Sequence, residues 1–118
     1  MRGIFLGLML PTLFSVAQAN AGEHRVWIET SVDDGRFLAV PQIEAGHGAL
    51  LDYELISTKV GKAGRSNSSQ AGSVRLGEGE TRSLTRLRLS VAAEDEYILS
   101  LRVYENGKLV AEDSVRYP

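Results

Sequence analysis

The segment DEYILSLRVYENGKL, residues 95–109, decides how the chain is read. Tyr97, Leu99, Leu101 and Val103 alternate with Ile98, Ser100, Arg102 and Tyr104. That period of two puts one set of side chains on each face of a β-strand, one apolar and one mixed. Asn106-Gly107 behind it is a hairpin signal. A two-residue turn there would pair Glu105 with Lys108 and place Leu101 on one face with Glu112. A three-residue loop, with Gly107 left-handed as a bulge, would pair Val103 with Leu109 and Leu101 with Ala111. The second arrangement keeps apolar residues together, and a buried face dictates register, so the bulged loop is the expected one.

The same alternation runs outward through the chain. Residues 49–60 place Leu51, Tyr53 and Leu55 on one face and Asp52, Glu54 and Thr58 on the other. Leu87, Leu89 and Val91 alternate with Arg86, Arg88 and Ser90; Val26, Ile28 and Thr30 alternate with Arg25, Trp27 and Glu29. Arg36 to Val40 is a further strand ended by Pro41, and Val74-Arg75-Leu76 a short one. Asp33-Asp34-Gly35, Ala45-Gly46-His47-Gly48 and Gly77-Glu78-Gly79-Glu80 are turn signals. Gly61 to Ser73, rich in Gly, Ala and Ser, reads as a mobile connection whose ends extend the neighbouring strands. No window shows a helical period. About seven short strands with frequent turns predict an antiparallel, immunoglobulin-like β-sandwich. Asp95-Glu96-Tyr97 matches the corner at which a tyrosine of such sandwiches hydrogen-bonds backbone; Tyr97 fits an ordinary core aromatic equally well.

The first residues are of another kind. Arg2, an apolar run from Ile4 to Leu10 continued by Leu13-Phe14, and then small residues form a secretory signal peptide, predicted over residues 1–21. The run is short for a spanning helix, which needs ~20 apolar residues, so no stable membrane insertion is expected after cleavage. Ala17-Gln18-Ala19 and Ala19-Asn20-Ala21 are overlapping cleavage sites, after Ala19 or after Ala21. Residues 22–118 then form a single domain. Losing Arg2 leaves 12 basic residues against 15 acidic ones, a formal charge of −3 for the mature chain and −2 for the whole. That balance argues against nucleic acid as a partner, which requires a basic surface. With no cysteine there is no disulfide, thiol nucleophile or thiolate-bound metal.

Little in the remaining inventory supports catalysis. His24 and His47 alone titrate near neutrality without a shifted pKa, and neither lies in a nucleophile motif. The pairs Asp33/Asp34 and Glu78/Glu80 lie in turns, where acids are ordinarily solvated. No cofactor is expected. A metal enters only if Gly22 is the mature N-terminus. Gly22-Glu23-His24 would then offer an amine, two amides and an imidazole for square-planar copper(II) or nickel(II), although an exposed His24 is the plainer expectation. Arg82, Arg86 and Arg88 stand at alternate positions, with Arg102 at outward parity on the next strand and Arg75 ahead of them. Such a stripe on one sheet face, with Lys59 behind it, would attract an acidic extended polypeptide; solubilising positions balanced by Glu54 and Glu112 are the plainer alternative. Trp27 at outward parity beside Arg25 and Glu29 would suit a carbohydrate- or fibre-subunit-binding adhesion module on the same fold.

From Ala49 to Gly107 the chain resembles the curli-assembly CsgC/CsgH family. The resemblance rests on Leu51-Asp52-Tyr53-Glu54-Leu55-Ile56-Ser57 and the loop with Gly61, Gly64, Ser66 and Gln70. It continues through Val74-Arg75-Leu76, Leu84-Thr85-Arg86-Leu87-Arg88-Leu89, the Asp95 corner, Val103 and Gly107. Enterobacterial CsgC members carry Cys-x-Cys where Ala49-Leu50-Leu51 stands here, so the pattern is closer to the CsgH branch and excludes a thiol–disulfide role. The resemblance implies a periplasmic, immunoglobulin-like sandwich that inhibits amyloid formation by curlin subunits, uses no nucleotide and needs no catalytic residues; a monomer is expected. Arg86, Arg88, Arg102, Arg75 and Lys59 are the candidate client-binding residues.

Overall fold

The computed structural model describes residues 23–90 and 94–118; the expected leader lies outside them. Among the described residues, eight strands form two antiparallel sheets. They are β1 (Arg25–Asp33), β2 (Arg36–Glu44), β3 (Ala49–Gly61), β4 (Gly64–Leu76), β5 (Thr81–Ser83), β6 (Leu87–Ser90), β7 (Glu96–Glu105) and β8 (Lys108–Tyr117). In sheet A, β2 is central, with β1 on one side and β5 and β6 sharing the other. Sheet B runs β4-β3-β7-β8. The expected all-β sandwich is the observed one, with eight strands. No helix among the described residues is long and apolar enough to cross a membrane.

The core is where the two period-two patterns meet. Tyr97, Leu99, Leu101 and Val103 of β7 are buried with Leu51 and Leu55 of β3 and Val74 and Leu76 of β4. Sheet A lays Ile28, Phe37, Ala39 and Ile43 over them. Full burial of each large aliphatic side chain contributes about 1.5–3 kcal/mol. Phe37 stacks on Tyr117 of the opposite sheet, with ring centroids 4.5 Å apart and planes 9° from parallel. The Tyr97 hydroxyl donates to the Ser90 carbonyl at 2.7 Å, so residue 97 is a tyrosine corner as well as core.

Three expectations need correction. Gly61 to Ser73 is no loop: β4 begins at Gly64 and pairs with β3 without interruption from Gly64 opposite Gly61 to Leu76 opposite Ala49. Small polar side chains hid it, because its pairing depends on backbone hydrogen bonds and not on an apolar face. One rung does rest on a side chain. A Cβ on Gly72 would lie 2.7 Å from the Tyr53 hydroxyl oxygen, so the Tyr53 ring covers the glycine opposite it.

The second concerns the last hairpin, which closes with two residues. Asn106 and Gly107 both have positive φ, 52° and 79°, and Glu105 pairs with Lys108. The register shift lies one step further on, where Val103 faces Ala111 and Tyr104 faces Leu109, leaving Val110 as the extra residue. The bulge restores parity after the tight turn, whereas the expected three-residue loop with Gly107 as its bulge, and its pairing of Val103 with Leu109 and Leu101 with Ala111, does not form. Leu101 consequently faces Asp113, whose Oδ2 accepts the Ile28 N–H at 3.2 Å and links the sheets.

The third is the strand carrying Arg82, Arg86 and Arg88, which is broken in two. Ile43 faces Arg82 on β5, whereas Phe37 faces Leu89 on β6, a one-residue slip taken up by Leu84-Thr85-Arg86. Arg82 and Arg88 therefore lie at opposite parity.

Replacing Tyr97 by Phe removes the corner hydrogen bond and keeps the ring. The expected loss is about 0.5–1.5 kcal/mol in urea unfolding, with a normal midpoint slope; an unchanged midpoint would show that the corner contributes nothing.

Candidate functional site

Surface charge is distributed over both outer faces of the sandwich. On sheet A the register sets Arg88 opposite Leu38 and Arg36 opposite Ser90. Arg86 joins Glu29, Ser31, Leu38 and Val40 around a shallow hollow of about 250 Å³. Arg36, Arg86 and Arg88 are exposed and make no ion pair among the described residues. Leu38 and Val40 between them are half-buried on the outer side of the sheet. Sequence reasoning missed Arg36, which lies far from Arg88 in the chain. Its outward parity after the Asp34-Gly35 turn was the available signal.

The other candidates are elsewhere. Arg102 is on sheet B, between Glu54 and Glu112 on its own rung, with its Nε 3.8 Å from Glu112. Arg75 is on sheet B opposite Leu50, also on the outer face. Lys59 has inward parity at one end of the sandwich, where it pairs with Asp95 at 3.4 Å and lies over the Tyr97 ring. Arg82 is bound to Glu80 at 2.8 Å. The single stripe expected from alternation is thus divided between two opposed faces. The Trp27 ring is half-buried and carries Arg25 5.9 Å above its centroid, so its own neighbour occupies the platform a sugar would need.

A second constellation gathers both histidines. His24, just ahead of β1, is buried with 6% of its surface exposed. His47 comes from the β2–β3 loop and Glu105 from the end of β7. The Gly46 N–H donates to His24 Nδ1 at 3.1 Å, and His24 Nε2 lies 2.8 Å from Glu105 Oε1. His47 Nε2 is 3.1 and 3.2 Å from the two Glu105 oxygens, and the imidazole centroids are 4.3 Å apart. Hydrogen bonds from His24 first, and from His47 second, hold the Glu105 carboxyl below its ordinary pKa.

The three side chains bring potential ligand atoms within 4.8 Å of one another, close enough for a metal ion. Their hydrogen bonds oppose that use. With an N–H aimed at Nδ1, His24 carries its proton on Nε2 and donates to Glu105. Coordination through Nε2 would move that proton to Nδ1, against the Gly46 N–H, whereas a metal-bound imidazole normally donates from its other nitrogen. The conditional copper site beginning at Gly22 lies outside the described residues; His24 itself is buried and not exposed as the plainer expectation had it, because its Nδ1 accepts the Gly46 N–H and its Nε2 meets Glu105. The cluster is a clasp joining the start of β1, the β2–β3 loop and the β7–β8 turn.

The fold defines a small two-sheet sandwich whose arginines without ion pairs among the described residues lie on its outer faces. A family model described as thin aggregative fimbriae synthesis protein, Tafi-CsgC, matches residues 16–114, and the chain belongs to that curli-assembly family. Its fold is similar to that of the E. coli curli protein CsgC in a selenocysteine form, with a TM-score of 0.69 and 17% identity over 78% of this chain and 97% of that one. The R. palustris CsgH solution structure matches with a TM-score of 0.59 and 20% identity, over 79% and 89%. A putative β-galactosidase from Bacteroides fragilis matches at 0.52 and 13%, over 79% of this chain and 17% of the enzyme. No curated protein sequence matches.

The clasp has a pH signature. A carboxyl whose folded pKa is depressed stabilises the fold above its unfolded value, 4.5, and loses that contribution as pH falls through the folded value. Urea midpoints measured from about pH 7 to about pH 3 should fall less steeply at the acid end for Glu105→Gln than for the parent. The two should converge at the lowest pH. Parallel curves would contradict a stabilising Glu105 carboxylate.

Proposed function

We propose that the chain is a periplasmic, chaperone-like inhibitor of curli fibre nucleation. It holds unfolded or early oligomeric curli subunits on a charged sheet surface and performs no catalysis. Membership of a curli-assembly family supports the client class, and the sequence of residues 1–21 supports export. The observation that carries the binding mode is the group of Arg36, Arg86 and Arg88, without ion pairs among the described residues, around half-buried Leu38 and Val40.

The physics suits transient capture. Guanidinium groups in open solvent each contribute on the order of 0–1 kcal/mol to a contact. They act together on an acidic strand-prone chain, and the exposed edges of Leu38 and Val40 add a short apolar stop. Weak binding is sufficient when the target is a rare nucleus, because a small number of occupied nuclei sets the lag. Arg75 remains available on the opposite face; Arg102 and Lys59 are neutralised by Glu112 and Asp95 and contribute less.

Dye-monitored fibre growth of an unfolded curli subunit in molar excess tests this. The parent chain lengthens the lag, and added salt shortens it again. Arg36→Glu/Arg86→Glu/Arg88→Glu should bind about tenfold more weakly or worse, taking roughly 0.5 kcal/mol for each lost contact. Arg102→Glu/Lys59→Glu should lose less. A triple variant with parental stability and parental lag would refute the electrostatic face.

A further inference from the structure

β4 is an edge of sheet B, paired with β3 on one side only. From Gly64 to Ala71 every residue is exposed, including Ser66, Ser68 and Gln70, whose parity is inward. Sheet A does not cover this half of the strand. The backbone is consequently open at its edge, and from Ser66 to Ala71 it carries only small or uncharged polar side chains.

Open edges recruit other strands, and proteins ordinarily blunt them with charge, proline, bulges or brevity. The other edges here carry such devices. β8 has Lys108, Glu112, Asp113 and Arg116 together with the Val110 bulge. β1 has Arg25, Glu29 and Asp33, and its Ile28 N–H is taken by Asp113. β5 and β6 are three and four residues long. β4 has thirteen residues, an unbroken register, no proline and no charge from Ser66 to Val74. Arg65 and Arg75 bracket that stretch, without ion pairs among the described residues. At ~3.4 Å per residue they stand about 34 Å apart.

We infer that the β4 edge between Arg65 and Arg75 accepts an extended, uncharged segment rich in Ser, Asn, Gln and Gly from an unfolded fibre subunit, as a fifth strand of sheet B. The inference rests on the function proposed above and adds, to the arginine face of sheet A, an edge of sheet B that takes part in the capture. The hairpin turn closes on Gly61 and Gly64, the pair that exchanges both backbone bonds in a two-residue hairpin. Odd-numbered residues of β4 therefore direct N–H and C=O outward. Asn67, Ser69, Ala71 and Ser73 offer these groups to the guest. Short hydroxyl and amide side chains next to them extend ladders with like residues of the added strand. Acidic residues flanking the guest segment meet Arg65 or Arg75. A second copy of this chain fits poorly. Antiparallel pairing centred on Gln70 would set each Arg65 opposite the other chain's Arg75, like charge against like.

Ser69→Pro removes an outward N–H and leaves the bonds to β3 in place. In the fibre-growth assay about fivefold to tenfold more of this variant should be needed to match the parental lag. If parent and Ser69→Pro lengthen the lag equally, the edge assignment is overturned while the proposed function stands. A parent chain without effect on the lag overturns both. Amide exchange on the parent chain avoids any folding defect of the variant. A synthetic Ser/Asn/Gln/Gly peptide ending in Asp should slow exchange at Asn67, Ser69, Ala71 and Ser73. Unchanged exchange there, at peptide concentrations that shift other resonances, would overturn the inference.

Discussion

Everything in this sandwich is referred to β7. Its four inward side chains, from Tyr97 to Val103, fill the space between the sheets, and its two flanks hold β3 and β8 in register. A strand buried on one face tolerates no slip, because a shift of one residue would exchange Leu99 and Leu101 for Ser100 and Arg102. Neighbouring irregularities read as adjustments to that constraint. The tight Asn106-Gly107 turn would misplace β8 by one position, and the Val110 bulge corrects it. At the other end Tyr97 ties the incoming chain through Ser90. Thus β7 is fixed at its entrance by a side chain and at its exit by a turn with a compensating bulge.

Much of this was legible in the sequence wherever burial imposes a period. The faces of residues 49–60 and 97–103 are those that alternation assigns, and the two-sheet class follows from them. What escaped has a common cause. β4 lacks apolar alternation in its outer half because neither face is covered, and strand formation there depends on the backbone of β3. The break between β5 and β6 is equally silent, because a one-residue slip alters spatial parity and leaves the local pattern intact. That slip matters most for the site. Even numbering suggested one arginine stripe, and the topology sent Arg86 and Arg88 to one sheet, Arg75 and Arg102 to the other. Arg36 entered the group through pairing between strands, which no local pattern records.

Residues with the most chemical potential are here the most structural. His24, His47 and Glu105 have the composition of a metal or acid–base centre, yet an amide proton at His24 Nδ1 fixes the imidazole as a donor. One backbone group decides between ligand and clasp. The same holds for Lys59 and Arg102, whose carboxylate partners remove them from the surface field. Among the described residues the charges without ion pairs are fewer than the composition suggests. They sit on exposed strand positions of the two sheets.

On the proposed function, the placement of these charges would resolve a conflict inherent in any protein that captures strand-forming chains. An edge fit to receive a foreign strand is fit to receive its own kind, so the protector risks joining the aggregate. Covering the edge would end both activities. Spacing two arginines at the ends of an uncharged edge separates them instead, because self-pairing brings guanidinium onto guanidinium while an acidic guest brings opposite charge. The discrimination needs no large energy. Like-charge repulsion and opposite-charge attraction at the same two points act in opposite directions, and specificity is a difference between affinities. A near-neutral chain can achieve this with local asymmetry alone. The formal charge of −2 and the two edge arginines are then compatible parts of one arrangement, because the acids nearest this edge, Asp52 and Glu54, stand one strand inward on β3, opposite Ser73 and Ala71.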